Sequence, residues 1–291
     1  MKILGTGLSG LIGSRIIDLL KNRYEFENLS TSTGFDITQK QVVERKIVSS
    51  DASIILHLAS KTDVDGCEKD KKEEINSVAW RVNVEGTRNI VQACKKSGKK
   101  IVYFSTDLVF DGKKEEPYTE EDKPDPINWY AKTKFEGEKI IEESGIPYLI
   151  LRISYPYRAK FEKKSDFVRT ILKRLKEKQS INAIYDHIVT PTFIDDIAEA
   201  LNVLITNNND GLFHVVGDQY ITPYDAVLLI ADLFDYDKSM IQKTTRAEYF
   251  KNKAPRPFHL ALKNDKIEKL GIKMKTFEQG LFEIQNQIKE L

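Results

Sequence analysis

The sequence predicts an α/β protein with a doubly wound parallel sheet and a smaller, mainly helical C-terminal domain. Three observations predict this fold. Short apolar runs alternate with longer helical patterns through the first half of the chain, which is typical of a parallel sheet with crossover helices. A glycine-rich turn follows the first apolar run and opens a helix. After Tyr155 the pattern changes to amphipathic helices with only short extended pieces between them.

Apolar periodicity places the individual elements. The predicted strands lie near residues 2–6, 26–30, 53–58, 101–105 and 148–153. The predicted helices lie near residues 10–20, 77–96, 130–143, 165–178, 194–205, 223–234 and 276–289. We expect one domain over residues 1–155 with a returning segment at about 188–208, and a second domain over the remainder of 156–291. No repeat or low-complexity linker separates them, which predicts an interleaved boundary.

Composition narrows the class of protein. The 45 basic and 44 acidic residues leave a net charge of +1, whereas nucleic-acid and membrane-surface proteins are usually more basic. Only Cys67 and Cys94 carry thiols, so neither a disulfide framework nor a paired-cysteine metal site is indicated. The four histidines lack metal-ligand spacing. Without a signal peptide or an apolar run of about 18 residues, a cytoplasmic location is expected, with no membrane and no nucleic-acid partner.

The glycine turn predicts a Rossmann-type dinucleotide site. A pyrophosphate needs backbone N–H groups at a helix N-terminus with no Cβ in the way. Gly7 would permit the tight turn, Gly10 the close approach of the phosphates, and Gly13 the packing of the helix against the strand. A register that starts at Gly5 also fits the fingerprint, but it leaves Gly13 unexplained inside a helix, where glycine is unfavourable. We therefore prefer the later register.

The segment after the second strand bears on the choice between NADP and NAD. Residues 28–32 carry neither the carboxylate that would bind a ribose 2′-hydroxyl nor an Arg or Lys for a 2′-phosphate. This favours NADP(H) slightly over NAD(H), because no carboxylate repels the extra phosphate. Asp36 and Ile37 are candidates to flank the adenine. The alternative is a capping Asp beside a core Ile.

Thr106, Tyr130 and Lys134 form the candidate catalytic set. A phenol can act as general acid towards a carbonyl, and a lysine ammonium one helical turn away is expected to lower its pKa. The spacing of four places both side chains on one helix face. Thr106 follows a predicted parallel strand, at the sheet edge where ligands bind. The structural alternative is an aromatic side chain stacked on a lysine stem. The agreement of strand, turn and order favours catalysis.

At these residues the chain resembles the extended short-chain dehydrogenase/reductase superfamily, and within it the dTDP-4-dehydrorhamnose reductase family. The similarity extends over nearly the whole chain. The segments that carry it are residues 35–38, 60–68, 105–112, 117–120, 130–138, 152–157, 186–192 and 256–257.

The resemblance implies an NAD(P)H-dependent reduction of the 4-keto group of a nucleotide-linked deoxysugar, as in dTDP-L-rhamnose biosynthesis. It implies that Thr106, Tyr130 and Lys134 are catalytic, and that Tyr130 and Lys134 also contact the cofactor, with Lys134 at its ribose. The cofactor contacts that it implies are Gly10, Leu11, Ile12, Asp36, Ile37, Ser60, Lys61 and Thr62, and the substrate contacts are Thr106, Asp107 and Tyr155. Arg256 lies between two prolines, where a rigid extended segment can present a cation to the substrate diphosphate. A surface Arg between turn prolines is the alternative.

Several positions depart from the family pattern. His57 and Lys61 replace the usual Asn and the usual aromatic or His, Tyr155 replaces a Trp, and Val189 replaces a Gly. These departures put the particular sugar in doubt. Leu108 follows Thr106-Asp107 where 4,6-dehydratases carry their Glu, so elimination would lack its base.

Two other functions remain open at this point. One is a sugar-nucleotide epimerase of the same superfamily, and the other is a non-catalytic NADP-binding regulatory subunit that resembles that of methionine adenosyltransferase. The expected ligand partner is a nucleotide sugar. The sugar, the base and the oligomeric state are not fixed, with a homodimer among the alternatives.

Overall fold

The computed structural model describes residues 1–289. Its strands are β1 (Lys2–Thr6), β2 (Glu25–Leu29), β3 (Ile54–His57), β4 (Lys100–Thr106), β5 (Tyr148–Ile153), β6 (Pro156–Tyr157), β7 (Ile181–Ile184), β8 (Thr192–Phe193), β9 (Gly211–His214) and β10 (Ile241–Thr244).

The central sheet has six parallel strands in the order β2-β1-β3-β4-β5-β9. The connections change direction between β1 and β3. The carboxyl ends of these two strands therefore form the switch point at which open parallel sheets bind ligands. This arrangement confirms the predicted α/β fold of the Rossmann type.

The helices are α1 (Leu11–Leu20), α2 (Lys40–Val48), α3 (Val64–Asp70), α4 (Val78–Trp80), α5 (Gly86–Ser97), α6 (Trp129–Glu142), α7 (Phe167–Lys176), α8 (Ile194–Thr206), α9 (Pro223–Leu233), α10 (Arg246–Tyr249), α11 (Asp265–Glu268) and α12 (Phe277–Lys289). A π-helical turn, Arg81–Glu85, joins α4 to α5.

Helices cover both faces of the central sheet. On one face, α1 and α8 pack their apolar sides, with Ile16 and Leu201 fully buried there. On the other face, α2 and α5 contribute Val43 and Ile90 to a second core, which α6 extends. Because both faces are covered, all four residues of β3 are buried, and three of them, Ile54, Ile55 and Leu56, are apolar, as expected for a parallel strand.

The C-terminal part is mainly helical, as the sequence predicts. Helices α7, α9 and α12 pack around a separate core that contains Tyr157 and Phe277. Two short parallel pairs, β7 with β10 and β6 with β8, complete this part. Helix α8 belongs to the returning segment that the sequence predicts near residues 188–208, and its buried side chains join the core of the central sheet.

Three of the differences from the sequence prediction concern the central sheet and the helices on it. Strand β9 lies beyond the predicted returning segment and was not predicted, because four residues carry too little periodicity; pairing with the edge of β5 decides it. Helix α2 lies between two predicted strands, where a crossover helix is expected, but its bounds were not predicted, since only Val43 and Ile47 of its nine residues are buried. The predicted helix at 77–96 exists but is interrupted by the π-helical turn.

Candidate active site

A cavity of about 650 Å³, here called the main cavity, lies at the carboxyl ends of β1, β3 and β4. Its size is typical of sites for drug-sized ligands and cofactors. The residues predicted from the sequence that line it are Gly7, Gly10, Leu11, Ile12, Gly13, Asp36, Ile37, Ser60, Thr62, Thr106, Asp107, Tyr130, Lys134 and Tyr155. The structure thus brings the glycine turn and the candidate catalytic set into one enclosure.

The glycine turn has the geometry that a dinucleotide needs. Gly7 has φ +71°, and a Cβ there would lie 2.7 Å from the Ala59 backbone N. A Cβ at Gly13 would lie 2.6 Å from the Leu8 Cα. Gly10 caps α1, whose first backbone N–H groups have no partner within the helix and point towards the cavity end. Both outer glycines are therefore required by close backbone contacts, which supports the preferred register.

The end of β2 carries hydroxyls and no charge at the cavity wall. Ser30 Oγ lies 2.7 Å from Ser32 Oγ, and Ser30 and Thr31 line the cavity. Asp36 Oδ1 accepts hydrogen bonds from the Thr38 N–H at 2.9 Å and the Thr38 hydroxyl at 2.8 Å. Ile37 is buried in the second core. Asp36 thus stabilises a turn and Ile37 packs in the core, which are the roles of the alternative interpretation. Both residues also line the main cavity.

The N-terminal turn of α6 positions Tyr130. The Asn128 side chain caps this helix by accepting a hydrogen bond from the Ala131 N–H at 2.9 Å, and its amide donates to the Pro255 carbonyl at 3.1 Å. Lys134 follows one turn later on the same face. Both side chains are buried, with 9 % of Tyr130 and 3 % of Lys134 exposed. The phenol therefore faces the enclosed cavity and not bulk solvent.

Thr106 and Asp107 stand at the end of β4 in a buried hydrogen-bond network. The Thr106 hydroxyl donates to Asp107 Oδ1 at 3.0 Å, and the Ser154 hydroxyl donates to Asp107 Oδ2 at 2.6 Å. Burial raises the pKa of Asp107 to about 6, although both hydroxyl contacts act in the opposite direction. Asp107 is thus a carboxyl group that gains a proton only slightly below neutral pH.

The pKa of Tyr130 differs from the sequence expectation. Burial and the charge of Asp107 raise it, while contact with the Thr106 hydroxyl lowers it. The expected lowering by Lys134 is not present, because the Lys134 ammonium lies over the Tyr103 ring, 3.9 Å from its centroid. Burial lowers the pKa of Lys134 itself to about 7, against the charge of Glu138. The phenol is therefore firmly protonated in this structure, as a proton donor must be.

Asn83, in the π-helical turn, is a buried residue that the sequence interpretation missed. Its Oδ1 accepts from the Ser60 hydroxyl at 2.9 Å and from the Lys61 N–H at 2.8 Å. Its Nδ2 donates to the Thr133 hydroxyl at 2.9 Å, and that hydroxyl donates to the Tyr130 carbonyl at 2.8 Å. A buried amide thus ties the loop after β3 to the catalytic helix. A polar residue on the apolar face of a predicted helix was the available signal.

Lys164 is a second missed residue. It lines the main cavity, and its ammonium donates to the Thr62 hydroxyl at 3.1 Å. The same connecting segment is fixed to α1 by Arg158, whose Nη1 donates to the Leu11 carbonyl at 3.0 Å and to the Ser14 hydroxyl at 2.8 Å. Lys134 and Lys164 are the two cationic side chains among the described residues that line this cavity. Its position depends on the fold and left no local pattern.

Lys61 and Arg256 do not line the main cavity. Lys61 contributes its backbone to the Asn83 network. Arg256 lines a second cavity of about 530 Å³, and its Nη2 lies 2.9 Å from Asp65 Oδ1. Arg256 is near the main cavity nevertheless, because its charge lowers the pKa of Tyr155, which burial and Asp107 raise. The cation predicted for a diphosphate is thus outside the lining of the main cavity and paired with a carboxylate.

Tyr155 lines the main cavity and has a strained backbone. Its φ is +40°, and its ring packs edge-on against Phe167 at 6.1 Å between centroids. A tyrosine in the left-handed region is uncommon and costs on the order of 1–3 kcal/mol. Such strain is typical of functional sites.

Within residues 1–289, no group of three or more His, Cys, Asp or Glu is placed to hold a metal ion. Cys67 and Cys94 are free and buried, and burial raises the pKa of each thiol to about 12. None of the described helices combines the length and apolar character needed to cross a bilayer.

Known proteins are similar in sequence to this chain over nearly its whole length. The chain is 32% identical to the spore coat polysaccharide biosynthesis protein SpsK of Bacillus subtilis, with 97% of this chain and 96% of that protein covered. It is 30% identical to a dTDP-4-dehydrorhamnose reductase of Aggregatibacter actinomycetemcomitans (96% and 97% covered). It is 29% identical to the methionine adenosyltransferase 2 subunit beta of Mus musculus (97% and 86% covered).

A solved structure shares the fold. It is a dTDP-4-dehydrorhamnose reductase of Bacillus anthracis in complex with NADP, with a TM-score of 0.90, 27% identity, and 98% of this chain and 99% of that chain covered. The sequence profile of the family described as the RmlD substrate binding domain matches residues 1–290. The resemblance seen in the sequence is therefore confirmed, and the chain belongs to the RmlD substrate binding domain family.

Proposed function

We propose that this protein is an NAD(P)H-dependent reductase that acts on the 4-keto group of a nucleotide-linked deoxysugar. The observation that carries the proposal is the main cavity, in which one enclosure joins the glycine turn to Thr106, Tyr130 and Lys134. Membership of an oxidoreductase family and the NADP complex of a structural relative support a nicotinamide cofactor. A rhamnose-type product is the finer part of the proposal.

The residues of the chain divide the work of a carbonyl reduction. The bound nicotinamide cofactor would supply the hydride. Tyr130 donates its phenolic proton to the substrate oxygen, and burial keeps that proton in place until the oxygen becomes basic. The Thr106 hydroxyl, which donates to Asp107 in this structure, would turn its proton to the same oxygen. Lys134 lines the same cavity with its ammonium over the Tyr103 ring, away from the Tyr130 hydroxyl, where it would hold the cofactor ribose.

The residues present fit a dinucleotide. The two positions where a Cβ would meet backbone atoms, Gly7 and Gly13, keep the turn clear, and the N-terminus of α1 offers N–H groups for the pyrophosphate. Lys164 adds a cation at the cavity wall. Directly after β2 the wall offers Ser30 and Thr31, and the nearest carboxylate of that segment in the lining is Asp36, which bonds to Thr38. These hydroxyls support a preference for NADP over NAD.

The substrate contacts follow from the same geometry. We assign the sugar ring to the wall formed by Thr106, Asp107 and Tyr155, and the diphosphate to Arg256, which must then leave Asp65. Asp65 and Arg256 belong to different parts of the chain and are 2.9 Å apart. The second cavity beside Arg256 also carries Arg246, which supports an anionic ligand there.

The test is cofactor oxidation with dTDP-4-keto-6-deoxyhexose, followed by absorbance with NADPH and NADH in parallel. We expect the wild-type protein to consume cofactor and Tyr130→Phe to lose at least about a hundredfold in kcat, the usual contribution of general acid catalysis. Tyr220→Phe is the matched control, because that tyrosine is 55% exposed and away from the cavity. Equal rates for Tyr130→Phe and wild type would refute the assignment of Tyr130.

Two alternative functions give different results in the same assay. An epimerase would convert the sugar without net cofactor consumption. A regulatory subunit would bind NADPH tightly and turn over no keto sugar. The 29% identical mouse relative is, by its name, the beta subunit of a methionine adenosyltransferase. The intact set of Thr106, Tyr130 and Lys134 favours the reductase over both, since a binding module does not need a buried proton donor.

A further inference from the structure

The Lys134 ammonium has an unusual environment. The side chain is 3% exposed and lines the main cavity, and none of the ion pairs or hydrogen bonds found within residues 1–289 involves its nitrogen. A buried ammonium without such a partner is costly. The contact that the structure does provide is the face of the Tyr103 ring, whose centroid lies 3.9 Å from Nζ. This distance is well inside the range of a cation–π interaction, which becomes stronger when water is excluded.

The Tyr103 ring is held in this position from three sides. It lies on β4 and is 1% exposed. Its hydroxyl donates to the Lys134 carbonyl at 3.3 Å. Gly137 lies next to that hydroxyl, and a Cβ there would collide with it. The His57 ring packs against Tyr103 at 5.5 Å between centroids. Strand, helix and histidine thus fix the ring directly under the ammonium.

His57 itself adds no positive charge beside Lys134. Its ring nitrogens are bonded to the hydroxyls of Thr6 at 2.7 Å and Thr87 at 3.0 Å. Burial and the nearby Lys134 charge lower its pKa to about 3, so the ring is neutral across the physiological range. A neutral histidine packed behind the tyrosine supports the ring without repelling the ammonium.

The other titratable groups that face Lys134 come from its own helix. Tyr130 is a neutral phenol, and Glu138 lies one turn further along α6. The Glu138 carboxylate is occupied by Arg152, at 3.0 Å from Oε1 and 2.7 Å from Oε2. Its attraction for Lys134 is therefore shared with a guanidinium. The Tyr103 face remains the contact that Lys134 does not share.

We propose that Tyr103 is a positioning residue, whose ring face holds the Lys134 side chain charged and aimed at the main cavity. This proposal rests on the proposed function, because the Lys134 charge matters only if the main cavity binds the cofactor. It does not depend on which sugar is reduced. Tyr103 touches neither cofactor nor substrate, since it does not line the cavity. It acts through Lys134.

The expected effect has a definite sign. Because burial lowers the Lys134 pKa to about 7, the ammonium is partly lost as the pH rises through neutrality. Removal of the ring face would lower that pKa further. The alkaline limb of the activity profile would then move to lower pH, whereas simple loss of stability would reduce activity without moving the limb.

The test compares Tyr103→Phe, which keeps the ring face, with Tyr103→Leu, which removes it. Tyr103→Met is a second variant without a ring, whose flexible side chain fills irregular space and protects against a failure to fold. We expect Tyr103→Phe to keep the wild-type limb, and both ringless variants to shift it down by about one pH unit, a tenfold change in the ionisation constant. Tyr24→Leu removes a buried ring from the other face of the sheet as a control.

A second measurement separates this proposal from the proposed function. The dissociation constant for NADPH, measured by fluorescence between pH 6 and pH 9, reports on the Lys134 charge without turnover. We expect NADPH binding by the ringless variants to weaken at lower pH than binding by the wild type and Tyr103→Phe. Coincident pH dependence in all four proteins would overturn the role of Tyr103. Absence of sugar reduction would affect only the proposed function.

Discussion

The Arg152 guanidinium on β5 and the Glu138 carboxylate on α6 form a fully buried, two-pronged ion pair. Nε and Nη2 of the arginine lie 3.0 Å and 2.7 Å from the two carboxylate oxygens, and the side chains are 3% and 1% exposed. The pair joins α6 to the central sheet one turn beyond Lys134. It thereby ties the helix that carries Tyr130 to the strand that pairs with β4, whose end carries Thr106.

Removing one partner of this ion pair is expected to lower the free energy of unfolding strongly. Glu138→Ala leaves a buried guanidinium without its counter-charge, which should lower the free energy of unfolding by about 3–5 kcal/mol in urea denaturation. The double variant Glu138→Leu with Arg152→Met removes both charges and should recover most of the loss. If Glu138→Ala loses no more stability than the double variant, an uncompensated buried charge is not the cause of the loss.

Lys134 is expected to reduce stability at neutral pH. Its pKa is lowered from 10.5 to about 7 on folding, so the unfolded chain binds more protons between those values and stability rises with pH across that window. Lys134→Met should raise the free energy of unfolding at pH 7 by up to about 3–5 kcal/mol, with the gain fading towards pH 10.5. Lys132→Met, on the exposed side of the same helix, is the control. A pH-independent difference would show that charge burial is not the cause.

The glycine turn can be tested against a matched glycine elsewhere. Gly7 and Gly98 both have positive φ, at +71° and +64°, but a Cβ at Gly98 would meet nothing within 4 Å. Gly98→Ala should cost about 1–2 kcal/mol from backbone strain alone. Gly7→Ala should cost about 1–3 kcal/mol more because of overpacking against Ala59, and it should weaken NADPH binding. Equal losses of stability in the two variants, with unchanged NADPH affinity, would show that the turn is not part of the cofactor site.

Lys164 is expected to contribute to cofactor binding through its charge. Lys164→Gln should raise the NADPH dissociation constant by about two- to fivefold, the worth of an exposed charge pair. The effect should shrink as salt is added, because exposed charges are screened. Lys163→Gln removes the same charge one residue earlier, outside the cavity lining, and should bind NADPH as the wild type does. A salt-independent loss, or equal losses in both variants, would argue against direct attraction.

Most of the fold could be predicted from the chain because its signals are local. The five predicted strands and the long helices are present with ends that differ by a few residues, since apolar periods of two and 3.6 are written directly into consecutive positions. Strand β9 could not be predicted, because its four residues are selected by the free edge of β5 and not by their own pattern.

By itself, the sequence determined the parallel sheet, the glycine turn and the spacing of Tyr130 and Lys134, because backbone sterics and helical geometry link near neighbours. Tertiary structure decided what those groups experience. It placed Lys134 over Tyr103 and not beside the Tyr130 hydroxyl, brought Lys164 to the cavity from a distant segment, and paired Arg256 with Asp65. The physical reason is that the burial of a group and the charges near it depend on residues far apart in the chain. The pKa values of Tyr130 and Lys134 therefore follow from the tertiary structure.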